Sequence, residues 1–224
     1  DSGSGSAPTT STGSGTAPNT WEITGGQPDQ DGNVYISSSQ ILNAVNSASA
    51  RARTNGTLGS GLTVAVGLPS SASGLIIEQE GLNRLASSDV NYLRADFGDL
   101  SVTLHRESLT ALKAQAAGPI ALTARPAGGL SSHALSLIGS RPVFDLNVLC
   151  QQNGVMVPAA DTGTITIGIR YIPAQQEMAA ELCGVYVDPA GGAHLLSASA
   201  YDPVRNMVFF KTDHCSIYGV GRQA

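Results

Sequence analysis

Near the C-terminus His214 and Ser216 bracket Cys215, so that a base and a hydroxyl nucleophile stand two positions apart. The surrounding residues 209–220 are rich in aromatic and β-branched side chains and predict a strand, on which alternate side chains share a face. The His214 imidazole then lies within reach of the Ser216 proton, a pairing able to carry out one round of self-cleavage. That chemistry also needs a strained peptide and a donor for the developing oxyanion. Without them, the same residues make the closing edge of a β-sandwich, with His214 bonded to a neighbouring loop and Ser216 and Tyr218 packed on the sheet.

The three cysteines allow one disulfide and one leftover thiol in an oxidising compartment. Cys183 and Cys215 both fall in C-terminal strand patterns and form the candidate pair, provided that their Cα atoms lie within about 7 Å. Cys150 follows an apolar run and reads as a small buried hydrophobe. No Cys-x-x-Cys spacing exists for a thiolate zinc site, and His105, His133 and His194 are scattered without ligand spacing. Asp29-Gln30-Asp31-Gly32-Asn33 begins like a calcium loop, but Gln27 and Ser38 occupy positions that need carboxylates. A turn into the first strand explains it better. Asp96 with Asp99, and Glu78 with Glu80, read as turn and cap residues rather than as the facing carboxylates of a glycosidase. No metal or cofactor is expected, and no multiple-turnover enzyme.

Composition narrows the function classes. Charged residues make up 13% of the chain, about half of the roughly 25% usual in globular domains, while glycine and small hydroxyl residues abound. With 12 lysines and arginines against 17 acids, a net charge of -5 and no basic run, a nucleic-acid partner is not expected. No apolar run approaches the roughly 18 residues of a membrane span, so membrane insertion is not expected either. This composition suits an extracellular protein, secreted or at the cell surface, whose solubility rests on uncharged polar groups. Asn55-Gly56-Thr57 is read as an exposed turn.

The elements that must position these residues follow from periodicity. Residues 1–20 repeat Gly-Ser, Ala-Pro and Thr-Ser pairs and predict a flexible linker. Three segments, residues 34–44, 75–85 and 102–112, then share one register in which alternating apolar residues give way to three-residue spacing, as at Leu82 and Leu85 or Leu109 and Leu112. Each predicts a strand feeding a short helix. Beyond Gly128-Gly129 the pattern is that of hairpins, with turns at Asn153-Gly154, at Asp188-Pro189 and at Asp202-Pro203. The expected fold is mainly β, an antiparallel β-sandwich with short helices following strands in the N-terminal half. Its parts are the linker over 1–20, a strand-and-helix region over 21–129 and an antiparallel closing meander over 130–224, the last two able to form one continuous domain.

Over residues 141–220 the chain resembles the closing module of secreted Gram-positive surface proteins. The resemblance rests on Leu182-Cys183-Gly184-Val185-Tyr186-Val187-Asp188, on Tyr201-Asp202-Pro203, and on Phe209-Phe210-Lys211-Thr212-Asp213-His214-Cys215-Ser216-Ile217-Tyr218-Gly219-Val220. In that group the last strand usually reads Phe-Thr-Thr-Asp-His-Phe-Ser-Lys-Tyr-Ala-Val, often ahead of surface-layer-homology modules that bind cell-wall polymers. Here Cys215 stands where the group has Phe. The resemblance implies a non-catalytic structural or interaction module of a bacterial cell-surface protein, whose partner is another extracellular protein or a cell-wall or glycan component. The same tripeptide is similar to the cleavage motif of GAIN-type autoproteolytic β-sandwiches. That similarity implies an alternative in which Ser216 attacks the Cys215 carbonyl, with His214 as base, and the bond between Cys215 and Ser216 is cut. A third reading is a glycan-binding module, although one Trp and an aromatic share of 5% leave little material for stacking.

Overall fold

Residues 19–59 and 61–223 are described by a computed structural model. The linker expected over 1–20 lies outside them except for its last two residues, and Thr20 opens strand β1 (Thr20–Thr24). The three strand-then-helix units follow. β2 (Asn33–Ile36) runs into α1 (Ser38–Thr54) and on to β3 (Thr63–Gly67). β4 (Gly74–Ile77) runs into α2 (Gln79–Ala86) and β5 (Tyr92–Asp96), and β6 (Leu100–His105) into α3 (Arg106–Gln115) and β7 (Ile120–Pro126). Alternation buries Val34 and Ile36, and the switch to helical spacing then buries Ile41, Ala44, Val45 and Ala48. α1 opens on a capping box in which the Ser37 hydroxyl accepts from the Gln40 amide at 3.3 Å and the Gln40 side chain accepts from the Ser37 amide at 2.9 Å.

The second half adds α4 (Ser132–Ile138), β8 (Val143–Gln152), β9 (Val155–Pro158), β10 (Ile165–Arg170), β11 (Leu182–Val187), β12 (Ala193–Leu196), β13 (Ala200–Asp202), β14 (Met207–Thr212) and β15 (Ile217–Arg222). The fold is mainly β and sandwich-like, with helices following strands. A seven-stranded sheet has the order β1-β3-β5-β6-β10-β14-β13, and an eight-stranded sheet the order β12-β11-β15-β8-β7-β4-β2, with β9 beside β8. Both sheets take strands from either side of residue 129. The sheets are mixed, because β1, β3 and β5 run parallel and so do β2 and β4. α1 and α2 each carry the chain from the eight-stranded sheet to the seven-stranded one, and repeated helical crossovers lay successive strands down in the same direction.

This parallel pairing explains a capping role that spacing alone left general. Ile36 and Ile77 are partners, so Glu78 emerges beside Ser38, and its carboxylate accepts from the Ser38 amide at 2.8 Å and from its hydroxyl at 2.6 Å. α1 has no acidic residue in its own first turn, and Glu78 brings a negative charge to that end of the helix. The Ser38 hydrogen bonds hold the Glu78 carboxyl below the usual range.

One apolar cluster joins α1, α2, α3 and both sheets, from Val34 and Leu82 through Ile167 to Tyr218 and Val220. A smaller one, Ala134, Ile138, Val185, Val187 and Ala193, seats α4 on the eight-stranded sheet. Among the described residues, no helix is long and apolar enough to cross a membrane.

The stretch 209–220 is not one strand. It divides into β14 in the seven-stranded sheet and β15 in the eight-stranded sheet, and residues between them cross the sandwich. The polar run Lys211-Thr212-Asp213-His214 supplies no second row of apolar side chains to hold a continuous strand in either sheet.

A partly buried polar knot fixes the connection before β11. Glu177 accepts from the Tyr171 hydroxyl at 2.5 Å, from the Ala174 amide at 2.9 Å and from Arg141 Nε at 3.0 Å. These donors, Tyr171 foremost, lower its pKa from 4.5 to about 2. A carboxyl depressed on folding stabilises the protein above its unfolded pKa, and that contribution is lost as pH falls from 4.5 towards about 2. Glu177→Gln is expected to lower stability at neutral pH by about 2 kcal/mol and to flatten the acid limb of the melting temperature plotted against pH. An unchanged acid limb would show that other carboxyls control it.

Candidate functional site

The self-cleavage geometry does not assemble. His214, Cys215 and Ser216 lie in the crossing connection rather than on a strand, so alternation does not align the imidazole with the hydroxyl. Ser216 Oγ donates to the Val187 carbonyl at 2.8 Å. His214 Nδ1 is 2.8 Å from Asp213 Oδ1, and its ring stands edge-on to Tyr186 at 4.8 Å between centroids. Among the described residues, no hydrogen bond joins His214 to Ser216. The Tyr218 hydroxyl, 2.6 Å from Thr212 Oγ1 and 2.9 Å from the His214 carbonyl, ties the connection back onto the core. Burial pushes the Cys215 thiol up to about 11, which keeps it protonated. Intact mass under denaturing conditions is expected to show one full-length species. A released peptide beginning at Ser216 would overturn this arrangement.

Cys183 and Cys215, the candidate disulfide pair, lie apart in the structure. All three cysteines are free. Cys183 faces Gly221 near one end of the β11–β15 ladder, whereas Cys215 lies beyond the Val187–Ile217 pair at the other end. That separation is at least about 13 Å at the usual rise per residue, well past disulfide reach. Alkylation of the denatured, unreduced chain is therefore expected to add three groups. Addition of one group alone would establish a disulfide.

The remaining histidines have separate tasks. His105 Nε2 lies 2.7 Å from Thr166 Oγ1, and burial lowers its pKa. His133 accepts from the Ala193 amide at 3.3 Å, joining α4 to β12. His194 lies 2.9 Å from Asp188 and stacks on Tyr186 at 5.7 Å. Among the described residues, no three His, Cys, Asp or Glu side chains converge on a position for a metal ion. The Asp29 carboxylate accepts from the Asp31 and Asn33 amides at 2.9 and 2.8 Å, as a turn into β2 requires.

A concave surface on the seven-stranded sheet was not singled out from the sequence. On the outer face of the seven-stranded sheet, one cross-strand row reads Gly67, Asp96, Ser101, Gly168, Phe209, and the next reads Ala65, Arg94, Thr103, Thr166, Lys211. The small side chains of the first row leave a concavity of about 770 Å3, lined by Gly67, Ser101 and Thr103, with Arg94, Arg170 and Arg205 around it. The Phe209 ring packs over Gly168, where a Cβ would collide with it. Arg94 Nε donates to both Asp96 oxygens at 3.1 and 2.9 Å. Arg170 sits 3.7 Å from Asp99, and Arg205 reaches Asp202 at 3.4 Å. Asp96, expected as a turn residue, thus also orients Arg94, and Asp99, likewise expected in a turn, stands near Arg170. The three arginines are widely separated along the chain; strand register brings Arg94 and Arg170 together, and the β13–β14 turn adds Arg205. The available signal was alternation of polar and small residues on one face of β5, β6 and β10.

No protein-family model and no curated protein matches this chain.

Proposed function

We propose that the chain is a non-catalytic interaction module of an extracellular bacterial surface protein, binding a cell-wall or glycan component or another extracellular protein. The observation that carries this reading is the arginine-lined concavity on the outer face of the seven-stranded sheet. Its floor is built from side chains on paired interior strands, a platform suited to recognition, and its rim from the adjoining turns. The low charge content and the resemblance of residues 182–188, 201–203 and 209–220 to the closing module of Gram-positive surface proteins support the extracellular placement. The alternative, self-cleavage between Cys215 and Ser216, has no support from the connection's hydrogen bonds, which occupy both His214 and Ser216 with other partners.

The test is co-sedimentation of the full chain with insoluble Gram-positive cell-wall material. Retention of the chain, reduced at least about fivefold in an Arg94→Gln/Arg170→Gln double variant, is the expected result. Equal retention of both would place the contact elsewhere on the surface, and no retention would overturn the wall-binding part of the proposal.

A further inference from the structure

We infer that the concavity binds a carboxylated oligosaccharide, with a sugar ring against Phe209 and its carboxylates held by Arg94, Arg170 and Arg205; this rests on the interaction-module reading and deepens it. Charge is the first argument. The chain carries a formal net charge of -5, yet the lining holds three guanidinium groups against one carboxylate, Asp96, with Asp99 and Asp202 beside Arg170 and Arg205 at its rim. Lys211 lies on the same face, so four of the chain's 12 lysines and arginines gather there.

The second argument is unspent donor capacity. A guanidinium has five N–H donors. Arg94 uses its Nε on Asp96, Arg205 uses one terminal nitrogen at 3.4 Å, and Arg170 is 3.7 Å from Asp99, beyond hydrogen-bond length. Among the described residues, the terminal nitrogens of Arg94 and Arg170 donate no hydrogen bond. A planar fork with free terminal donors fits a carboxylate in two-point contact, which an ammonium does not match.

Shape chooses the saccharide over an acidic peptide. A peptide that docks by strand addition needs a free sheet edge, but β6 and β10 are interior strands whose ladders are already filled. Recognition must therefore come from side chains. These are hydroxyls at Ser101 and Thr103, complementary to sugar hydroxyls, and the half-buried Phe209 ring, a flat apolar surface for the C–H face of a pyranose. β5 and β14 are three strands apart, about 14 Å at the usual interstrand spacing. A ligand reaching from Phe209 to Arg94 therefore spans more than one ring.

The experiment is calorimetric titration of the full chain with trigalacturonate, its uncharged methyl ester and hexaglutamate. Saturable binding of trigalacturonate is expected, at least about tenfold weaker in Arg94→Gln/Arg170→Gln and for the methyl ester. Binding should also weaken between low and high salt. Lys113→Gln, on α3 and away from this face, should bind as the parent does. Thermal melts of each variant separate lost binding from lost folding, and Phe209→Leu, which keeps an apolar cover over Gly168, should weaken binding while the melt is retained. Equal binding of the methyl ester, equal binding of hexaglutamate, or no saturation up to about 10 mM trigalacturonate would each overturn the assignment. If the chain then still sediments with wall material, the interaction-module reading stands and only the ligand class falls. If it does neither, both fall.

Discussion

A chain ending at Asn206 is expected to lose cooperative folding altogether. The deletion removes β14, which lies between β10 and β13, and β15, which lies between β11 and β8, so each sheet loses an interior strand. Val208, Phe210, Tyr218 and Val220 are all almost fully buried. Four such side chains contribute roughly 6 to 12 kcal/mol by burial alone, against a total margin of about 5 to 15 kcal/mol for a domain. The ladders of both strands are lost in addition. Urea titration followed by circular dichroism would show a sloping, non-cooperative signal for the truncated chain. A sigmoidal transition at the full-length midpoint would demonstrate that these strands are accessory.

The second large effect is expected at Tyr218, which is 1% exposed and packs against Phe210 at 5.6 Å and Tyr186 at 5.8 Å between ring centroids. Tyr218→Ala should cost about 3 to 5 kcal/mol through the cavity it leaves between the sheets. Tyr218→Phe keeps the packing but leaves Thr212 and the His214 carbonyl without the hydroxyl, and should cost about 1 to 2 kcal/mol. The contrast is diagnostic. If Phe costs as much as Ala, the hydroxyl's hold on the crossing connection dominates. If Phe costs nothing, the connection does not depend on it.

Local structure was largely legible from residue pattern. The period switch at Ile36 to Ile41, at Ile77 to Leu82 and at Leu104 to Leu109 marks strand-to-helix junctions because helix and strand bury different spacings. Asn153-Gly154 forms the β8–β9 turn with both residues at positive φ, 50° and 80°, which these two types tolerate. Asp188 likewise caps its turn by accepting from Ala190 and Gly192, both at 2.8 Å. Pairing was less legible. A run of β-prone residues from Phe209 to Val220 carries no mark of which sheet each part joins, and partners as distant as Asp145 and Ile217 decide it. The same non-local register hid the concavity, since Arg94, Arg170 and Arg205 share no local motif. The tripeptide at His214 was conspicuous for the opposite reason: its residues are adjacent in sequence, but the turn between the sheets directs their side chains to different partners.

The crossing of the final segment from one sheet to the other also sets an order of events in biogenesis. β15 inserts between β11 and β8, so the eight-stranded sheet holds a gap until residue 222 has been made, and β14 closes the seven-stranded sheet only shortly before. Long-range pairing of this kind is slow and leaves unpaired strand edges exposed meanwhile. The earlier strands therefore remain without their closing partners until β14 and β15 have been made. Closure of both sheets waits on these two strands together.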